Sequence, residues 1–428
     1  MRVTFATLGC KVNQVDTAHL EASFAARQYE VVRWPGPADV CVINTCTVTA
    51  VADRQSRQMV KRARRANPEA LVIVTGCGPL SGGGMEDAFA EADLITGNVE
   101  KSDLPRLAAQ WRRGATRRVI GDIAAQTEVA ASGAALIAGR ARSFLKVQDG
   151  CPAACSYCVV PQVRGPSRSA PPQEVLVAVR DLLRLGTGEI VLTGIHLGAY
   201  GADLRPATNL AALCRDILRE TATPRLRLSS VEPQEVSGEL VDLMAGDARL
   251  CNHLHLPLQS GSDRILQMMN RSYRVAEYES IVAMCRNRIA DITIGADVLV
   301  GFPGEDDEAF AETLATLRRL RLPHLHVFPY SDRPGTAASR LPEKVPSATV
   351  RERAAQVRAL AAEFQREHRR AQIGKRLLVL VEQITRDGLR RGASRNYLPV
   401  LFASNAGVGE EIEVLIELIN EKCELVGR

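Results

Sequence analysis

The sequence predicts an α/β protein in three parts. These are an N-terminal parallel α/β sheet domain, a central partial (β/α)6 barrel and a small C-terminal β-barrel. Three observations carry this. Short apolar runs alternate with helical stretches up to about residue 105. A strand-then-helix unit then recurs six times between about residues 140 and 372. From about residue 373 the pattern falls to period two, with turn residues between short strands.

In the first part the expected strands are Val3–Thr7, Val40–Asn44 and Leu71–Thr75, and the expected helices are Gln14–Arg27 and Ala50–Ala66. Each strand runs directly into a cysteine: Cys10, Cys46 and Cys77. Parallel strands end on one edge of a sheet, where ligands bind. Three cysteines distant in sequence can thus meet at one rim as a metal site, although three unrelated core thiols give the same pattern. Cys41, within its strand, reads as a packing residue, as do Cys214, Cys251, Cys285 and Cys423, which lack ligand spacing.

The central strands are expected at Phe144–Gln148, Glu189–Gly194, Arg225–Ser229, His253–Leu258, Ile292–Val300 and His324–Tyr330. Six units are too few to close an eight-stranded barrel, so a splayed partial barrel is expected. The third part offers strands at Leu377–Glu382, Asn396–Phe402 and Glu411–Leu418. Gln110–Gly139, rich in Ala, Arg and Gly, is expected to contain a linker. The boundaries are therefore 1–105, 106–139 (linker), 140–372 and 373–428.

The chain has 428 residues, 46% hydrophobic and 24% charged, with a net charge of +5 that says little about partners. It has no eighteen-residue apolar run, so no membrane span is expected. The first residues read as a strand, without a secretion signal. A cytoplasmic location follows, where eleven cysteines are metal-binding, catalytic or buried rather than disulfide-bonded.

The densest chemical signal is Cys151-Pro-Ala-Ala-Cys155-Ser-Tyr-Cys158, opened by Gly150. Three thiolates in a short loop can face one soft metal centre. Closed iron–sulfur and zinc sites take four ligands. No fourth cysteine or histidine follows Cys158 at normal spacing, so one coordination position is left for chemistry. The competing reading is a zinc knuckle with a remote fourth ligand.

This loop resembles the signature of the radical S-adenosylmethionine enzymes, and the whole chain resembles the methylthiotransferases among them. The matching motifs include Thr7-Leu-Gly-Cys10-Lys-Val-Asn-Gln14, Asn44-Thr-Cys46-Thr-Val-Thr49, Gly76-Cys77, Gln148-Asp-Gly-Cys151 and Arg164-Gly165. Others are His255-Leu-Pro-Leu-Gln-Ser-Gly261, Met269-Asn-Arg271, Gly301-Phe-Pro-Gly-Glu305 and Ser331-Asp-Arg-Pro-Gly335. The first two resemble the class acting on N6-threonylcarbamoyladenosine at position 37 of tRNA (the MtaB-like class). The isopentenyladenosine class usually has an arginine, and the ribosomal-protein class Gly-Phe, where this chain has Thr47-Val48-Thr49. Gly78-Pro-Leu-Ser-Gly-Gly-Gly84 departs from the family's aromatic, alanine and glutamine after the third cysteine.

The resemblance implies two [4Fe-4S] clusters. Cys151, Cys155 and Cys158 would hold the one that binds and cleaves S-adenosylmethionine into a 5′-deoxyadenosyl radical. Cys10, Cys46 and Cys77 would hold an auxiliary cluster that supplies sulfur to C2 of the adenine, and a second S-adenosylmethionine supplies the methyl group. Cofactor contacts are expected from Tyr157, Glu189, Thr193, Gly194, Arg227, Ser229, Gln259, Ser260 and Gly301; Tyr157 has an equal packing alternative. His253 and His255 share a strand face and read as structural or cofactor-facing. The third part resembles the TRAM domain, an RNA-binding module. Its basic residues Arg369, Arg370, Lys375, Arg376, Arg390, Arg391 and Arg395 are expected to contact the tRNA anticodon stem-loop. The basic run Arg54–Arg65 reads as an RNA contact or a solvated face. An electron donor such as flavodoxin or ferredoxin is implied. A non-catalytic iron–sulfur RNA-binding protein is the alternative from a different class.

Overall fold

The computed structural model describes residues 1–81, 87–111, 117–129 and 141–428, and these fall into two compact units. The first comprises residues 1–135, 148–170 and 331–340; the second comprises 136–147, 171–330 and 341–428.

The first unit is built on a six-stranded sheet of order β2-β1-β3-β4-β5-β6. Its strands are β1 Arg2–Thr7, β2 Glu30–Val32, β3 Val40–Thr45, β4 Leu71–Gly76, β5 Leu94–Thr96 and β6 Arg117–Val119. All neighbours are parallel. β3 and β4 are buried throughout, which is why they read as unbroken apolar runs. Helices α1 Lys11–Ala25, α2 Ala50–Ala66 and α3 Leu104–Gln110 accompany the sheet. Two apolar clusters form the core. Phe5, Phe24, Val42 and Ile73 share one; Cys41, Ile43, Val60 and Val74 share the other, so Cys41 is indeed a core thiol.

β6 lies inside the stretch expected to be linker, and it pairs with β5. The sheet therefore extends beyond residue 105. β2, β5 and β6 are each three residues long and partly polar, too short to show a period. Within the expected linker, residues 112–116 and 130–139 lie outside the described residues, as do residues 82–84 of the glycine-rich loop.

The first unit also takes in the short hairpin β8 Gln148–Asp149 and β9 Arg168–Ser169, with α4 Val160–Arg164 between them. The cysteine loop thus belongs to the N-terminal unit, although it follows the first barrel strand in sequence.

The second unit carries β7 Arg142–Lys146, β10 Glu189–Thr193, β11 Leu226–Leu228, β12 His253–His255, β13 Thr293–Val300 and β14 His324–Pro329. They form two parallel three-stranded sheets, β11-β10-β7 and β12-β13-β14. Isolated parallel bridges, Leu226–Leu250 and Ser230–His255, join these into one arc. This is the expected partial barrel. Its helices are α5 Pro172–Arg184, α6 Leu210–Glu220, α7 Gly238–Gly246, α8 Asp263–Met268, α9 Val275–Arg288, α10 Asp307–Leu320 and α11 Ser347–Arg370. The chain ends in a closed barrel, β15-β16-β17-β19-β18, of β15 Arg376–Ile384, β16 Arg390–Ser394, β17 Pro399–Phe402, β18 Glu411–Ile419 and β19 Leu425–Gly427. Val379, Val400, Phe402 and Val414 fill it.

Candidate metal centres and substrate face

Cys10, Cys46 and Cys77 follow the C-terminal ends of β1, β3 and β4, which are neighbours in the sheet. Gly9 shows how closely their loops meet. Its φ is +94°, and a Cβ there would lie 2.6 Å from Cys46 Cβ and 2.7 Å from its Sγ. The Cys46 thiol is pushed up to about 11 by burial, with the Cys77 and Cys10 charges adding to the rise. Three thiols gathered at one sheet edge fit a cationic, thiophilic group, which binds thiolates and displaces their protons. Cys10 is exposed, whereas Cys46 and Cys77 are buried.

The second triplet is shaped by its glycines. Gly150 has φ +76°, and a Cβ there would stand 1.8 Å from the Pro166 carbonyl oxygen. The Cys151 amide donates to Gly165 O at 3.1 Å, and the Cys158 amide to Cys155 O at 3.1 Å. Gln148 Nε2 donates to Gly150 O at 2.7 Å. Cys151, Cys155, Tyr157 and Cys158 are half-buried, so this thiol donor set is reachable from solvent.

The structure brings the two triplets into one compact unit. Cys77 packs against Val159 and Val163 in the segment just after Cys158. Asn98 Nδ2 donates to Val163 O at 2.7 Å and lies 3.6 Å from Cys77 Sγ. Arg164, at the end of α4, is fully buried and donates to Asp16 and Asp149, both at 3.1 Å, and to Asn13. Lys101 donates to the same Asp16 at 2.6 Å. Burial alone would lower the Arg164 guanidinium, but Asp149, Cys77, Asp16 and Cys10 overturn this and hold it well above its usual value. Arg333 reaches Thr47 Oγ1 at 2.7 Å and also pairs with Asp53, tying Ser331–Gly335 to the segment after Cys46.

Several expected cofactor contacts turn out otherwise. Glu189 sits at the N-terminal end of β10, away from the ligand edge, and is fully buried. Burial would raise its carboxyl, yet Arg227, then Arg225 and Arg142, hold it at about 2. Arg227 donates to Glu189 at 2.8 Å and onward to the Arg395 and Ser394 carbonyls. The pair therefore fastens the C-terminal barrel to the strands rather than holding a ligand. The Ser260 hydroxyl turns to Thr313 on α10. Thr193, Gly194, Ser229, Gln259 and Gly301 do lie at or beyond the C-terminal ends of their strands. Of these, Ser229 Oγ is buried and has no hydrogen-bond partner among the described residues.

The basic set is also altered. Lys375 pairs with Asp291 at 2.6 Å, Arg376 with Glu413 at 2.9 Å, Arg391 with Glu424 and Arg395 with Glu411 at 2.6 Å. Arg390 is spent on the Ala406 and Gly388 carbonyls, and Arg369 is buried. Arg370 is exposed. Arg376 and Arg391 are exposed as well, each beside its carboxylate partner. On α2, Arg54, Lys61, Arg62 and Arg65 are exposed, while Arg64 is bound to Asp93 at 2.6 Å.

Two further groupings are visible only in the structure, although the sequence itself singles out His255. His255 Nε2 lies 2.9 Å and His326 Nδ1 3.3 Å from Asp297 Oδ1. Asp297 is the acid within the otherwise apolar strand Thr293–Val300, the available signal. His196 Nε2 meets Glu235 Oε1 at 2.7 Å, beyond β10 and β11; their separation in sequence hid the pair.

Comparison with known proteins agrees with this geometry. Residues 2–97 match the uncharacterized protein family UPF0004, and residues 145–317 match the radical SAM superfamily. The threonylcarbamoyladenosine tRNA methylthiotransferase MtaB of Aquifex aeolicus is 38% identical over 97% of this chain and 100% of its own length. The tRNA-2-methylthio-N(6)-dimethylallyladenosine synthase of Syntrophus aciditrophicus is 32% identical over 96% of this chain and 91% of its own. Among solved structures, the radical S-adenosylmethionine methyltransferase TsrM of Kitasatospora setae aligns with a TM-score of 0.57 at 16% identity, covering 76% of this chain and 72% of that one, a likeness of fold.

Proposed function

The chain belongs to the radical S-adenosylmethionine tRNA methylthiotransferases, and from that premise we propose that it places a methylthio group on C2 of N6-threonylcarbamoyladenosine at position 37 of tRNA. The observation that carries this is the pair of cysteine triplets in one compact unit, one within a single loop and the other gathered from the ends of three neighbouring strands.

Cys151, Cys155 and Cys158 would hold the cluster of the radical SAM superfamily, and Cys10, Cys46 and Cys77 an auxiliary cluster. Bound there, the clusters and S-adenosylmethionine supply the radical and the sulfur that an unactivated C–H bond requires. The chain's own residues position these groups. Gly150 and Gly165 shape the first loop, and Arg164 joins it to α1 just after Cys10. The Arg164 charge offsets the thiolates of Cys10 and Cys77. Thr193, Gly194, Ser229, Gln259 and Gly301 at the strand ends are proposed to line the S-adenosylmethionine site. Arg370 and the exposed cations of α2 are proposed to meet RNA phosphates. A flavodoxin- or ferredoxin-type donor would supply electrons. Among the described residues no helix is long and apolar enough to cross a membrane.

The substrate assignment draws on the motifs around Cys10 and Cys46 and on the MtaB relatives. The dimethylallyladenosine relative makes the isopentenyl base the second reading. Nucleoside mass spectrometry of tRNA from a strain lacking the gene separates them. Loss of 2-methylthio-N6-threonylcarbamoyladenosine is expected. Its persistence, with loss of the methylthio-isopentenyl nucleoside, would transfer the assignment to the second reading.

A further inference from the structure

Arg369 was expected at the surface, but it lies 7% exposed near the end of α11. Its Nε has no hydrogen-bond partner, and no ion pair reaches it among the described residues. A guanidinium cannot shed its proton to relieve burial, and a buried charge without a counter-charge is strongly unfavourable. The neighbouring carboxylate Glu424, whose charge reaches Arg369, is already paired with Arg391.

Arg369 lines a cavity of about 350 Å³ between the strand arc and the C-terminal barrel, within the second unit. Arg142, His324, His326, Arg391 and Tyr397 line it too. The carboxylate of Glu382 also faces this space, but it is held by Arg142 at 2.7 Å. The lining therefore has an excess of positive charge and several donors. His324 and His326 lie at the first and third positions of β14, so the cavity lies beside the N-terminal end of that strand. The cysteine loops and the strand ends proposed for S-adenosylmethionine are other places in the fold.

We propose that this cavity is an oxyanion site for a phosphate group, with Arg369 as its counter-charge. A planar guanidinium matches a phosphate bidentately, and this arrangement is strong where water is excluded. Tyr397 and the histidines supply the remaining donors. The volume exceeds that of orthophosphate and suits a phosphate carrying a substituent. The source is either a phosphate of bound RNA or a free phosphate compound. The site does not depend on the methylthiotransferase reading.

The test is equilibrium dialysis of the full-length protein against radiolabelled inorganic phosphate at fixed ionic strength. Saturable binding is expected, with sulfate competing and chloride not. Arg369→Gln should weaken it about tenfold or more, the loss of one charge-assisted hydrogen bond, and Arg369→Lys should weaken it less. If circular dichroism shows Arg369→Gln misfolded, Tyr397→Phe replaces it, with a smaller but measurable loss expected. Displacement of phosphate by tRNA identifies an RNA phosphate as the natural occupant; simultaneous binding identifies a free one. Non-saturable uptake by the wild type, or unchanged affinity in the folded variants, overturns the proposal.

Discussion

Arg164 and Asp16 form a buried ion pair at 3.1 Å, joining the segment after Cys158 to the helix that begins after Cys10. Both side chains are nearly inaccessible, at 2% and 4% exposure, and Asp149, Asn13 and Lys101 complete the network. A pair so deeply buried is not stabilising merely by existing, because desolvation opposes the attraction. Removing one partner is costly, because it strands the other. Arg164→Met takes this cation away from both Asp149 and Asp16. The expected loss is about 3–5 kcal/mol in urea unfolding of the metal-free protein. Arg164→Lys should fall between, since an ammonium cannot reproduce the fork. A loss under about 1 kcal/mol for the methionine variant would show the network to be dispensable.

The two triplets should be separable by mutation. Cys10 is exposed, so Cys10→Ala leaves no cavity and should change stability by no more than about 0.5 kcal/mol. Anaerobically reconstituted wild type should carry about eight irons, and the variant about four. The variant should still release 5′-deoxyadenosine from S-adenosylmethionine but make no methylthio product, whereas Cys151→Ala should do neither. Wild-type protein that holds both clusters yet releases no 5′-deoxyadenosine would favour the non-catalytic RNA-binding alternative.

Much of this was legible in the sequence, for identifiable reasons. β3 and β4 are buried on both faces and read as apolar runs; α2 matched its expected bounds, Ala50–Ala66. The cysteines announced themselves by following strands. Glu189 misled because position along a strand, not membership of it, decides which end a side chain serves. Its partners Arg225 and Arg227 are far off in sequence. Arg369 misled because a basic run reads as surface, while one member of a helical run can face inward. Arg164 stood in a motif, but its role depends on Asp16 and Lys101, whose approach exists only after folding.

Two glycines with similar backbones should respond very differently to alanine. Gly150 has φ +76° and Gly374 φ +84°. Both substitutions carry the left-handed strain of about 1 kcal/mol. A Cβ at Gly374 meets nothing within 4 Å, whereas at Gly150 it would overlap the Pro166 carbonyl oxygen at 1.8 Å. Backbone cannot swing aside as a flexible side chain can. Gly374→Ala should therefore fold with a loss near that strain alone. Gly150→Ala should distort the first cysteine loop and lower iron retention by about half, the share of one cluster of two. Equal iron content in the two variants would refute the loop's dependence on this contact.

Stability should fall between neutral and mildly acidic pH, and two histidines account for the direction. Burial, with neighbouring cationic groups, holds His324 down at about 3 and His368 down at about 4. In the unfolded chain both return to about 6.5. Between these values the unfolded state binds protons that the folded state refuses, so unfolding takes them up. The contribution is complete above about pH 6.5 and is lost as pH falls toward 4. Each group adds a slope of at most about 1.4 kcal/mol per pH unit. Glu189, held at about 2, acts only below the ordinary carboxylate range and leaves this window unaffected. His368 Nε2 lies 3.0 Å from Thr293 Oγ1, and His368→Gln keeps a polar group there while removing the titration. Urea unfolding at several values from pH 7 to 5, in buffer free of phosphate and sulfate, should show a shallower slope for this variant than for the wild type. Parallel slopes would mean that His368 titrates normally in the folded protein, and that its burial does not exclude the proton.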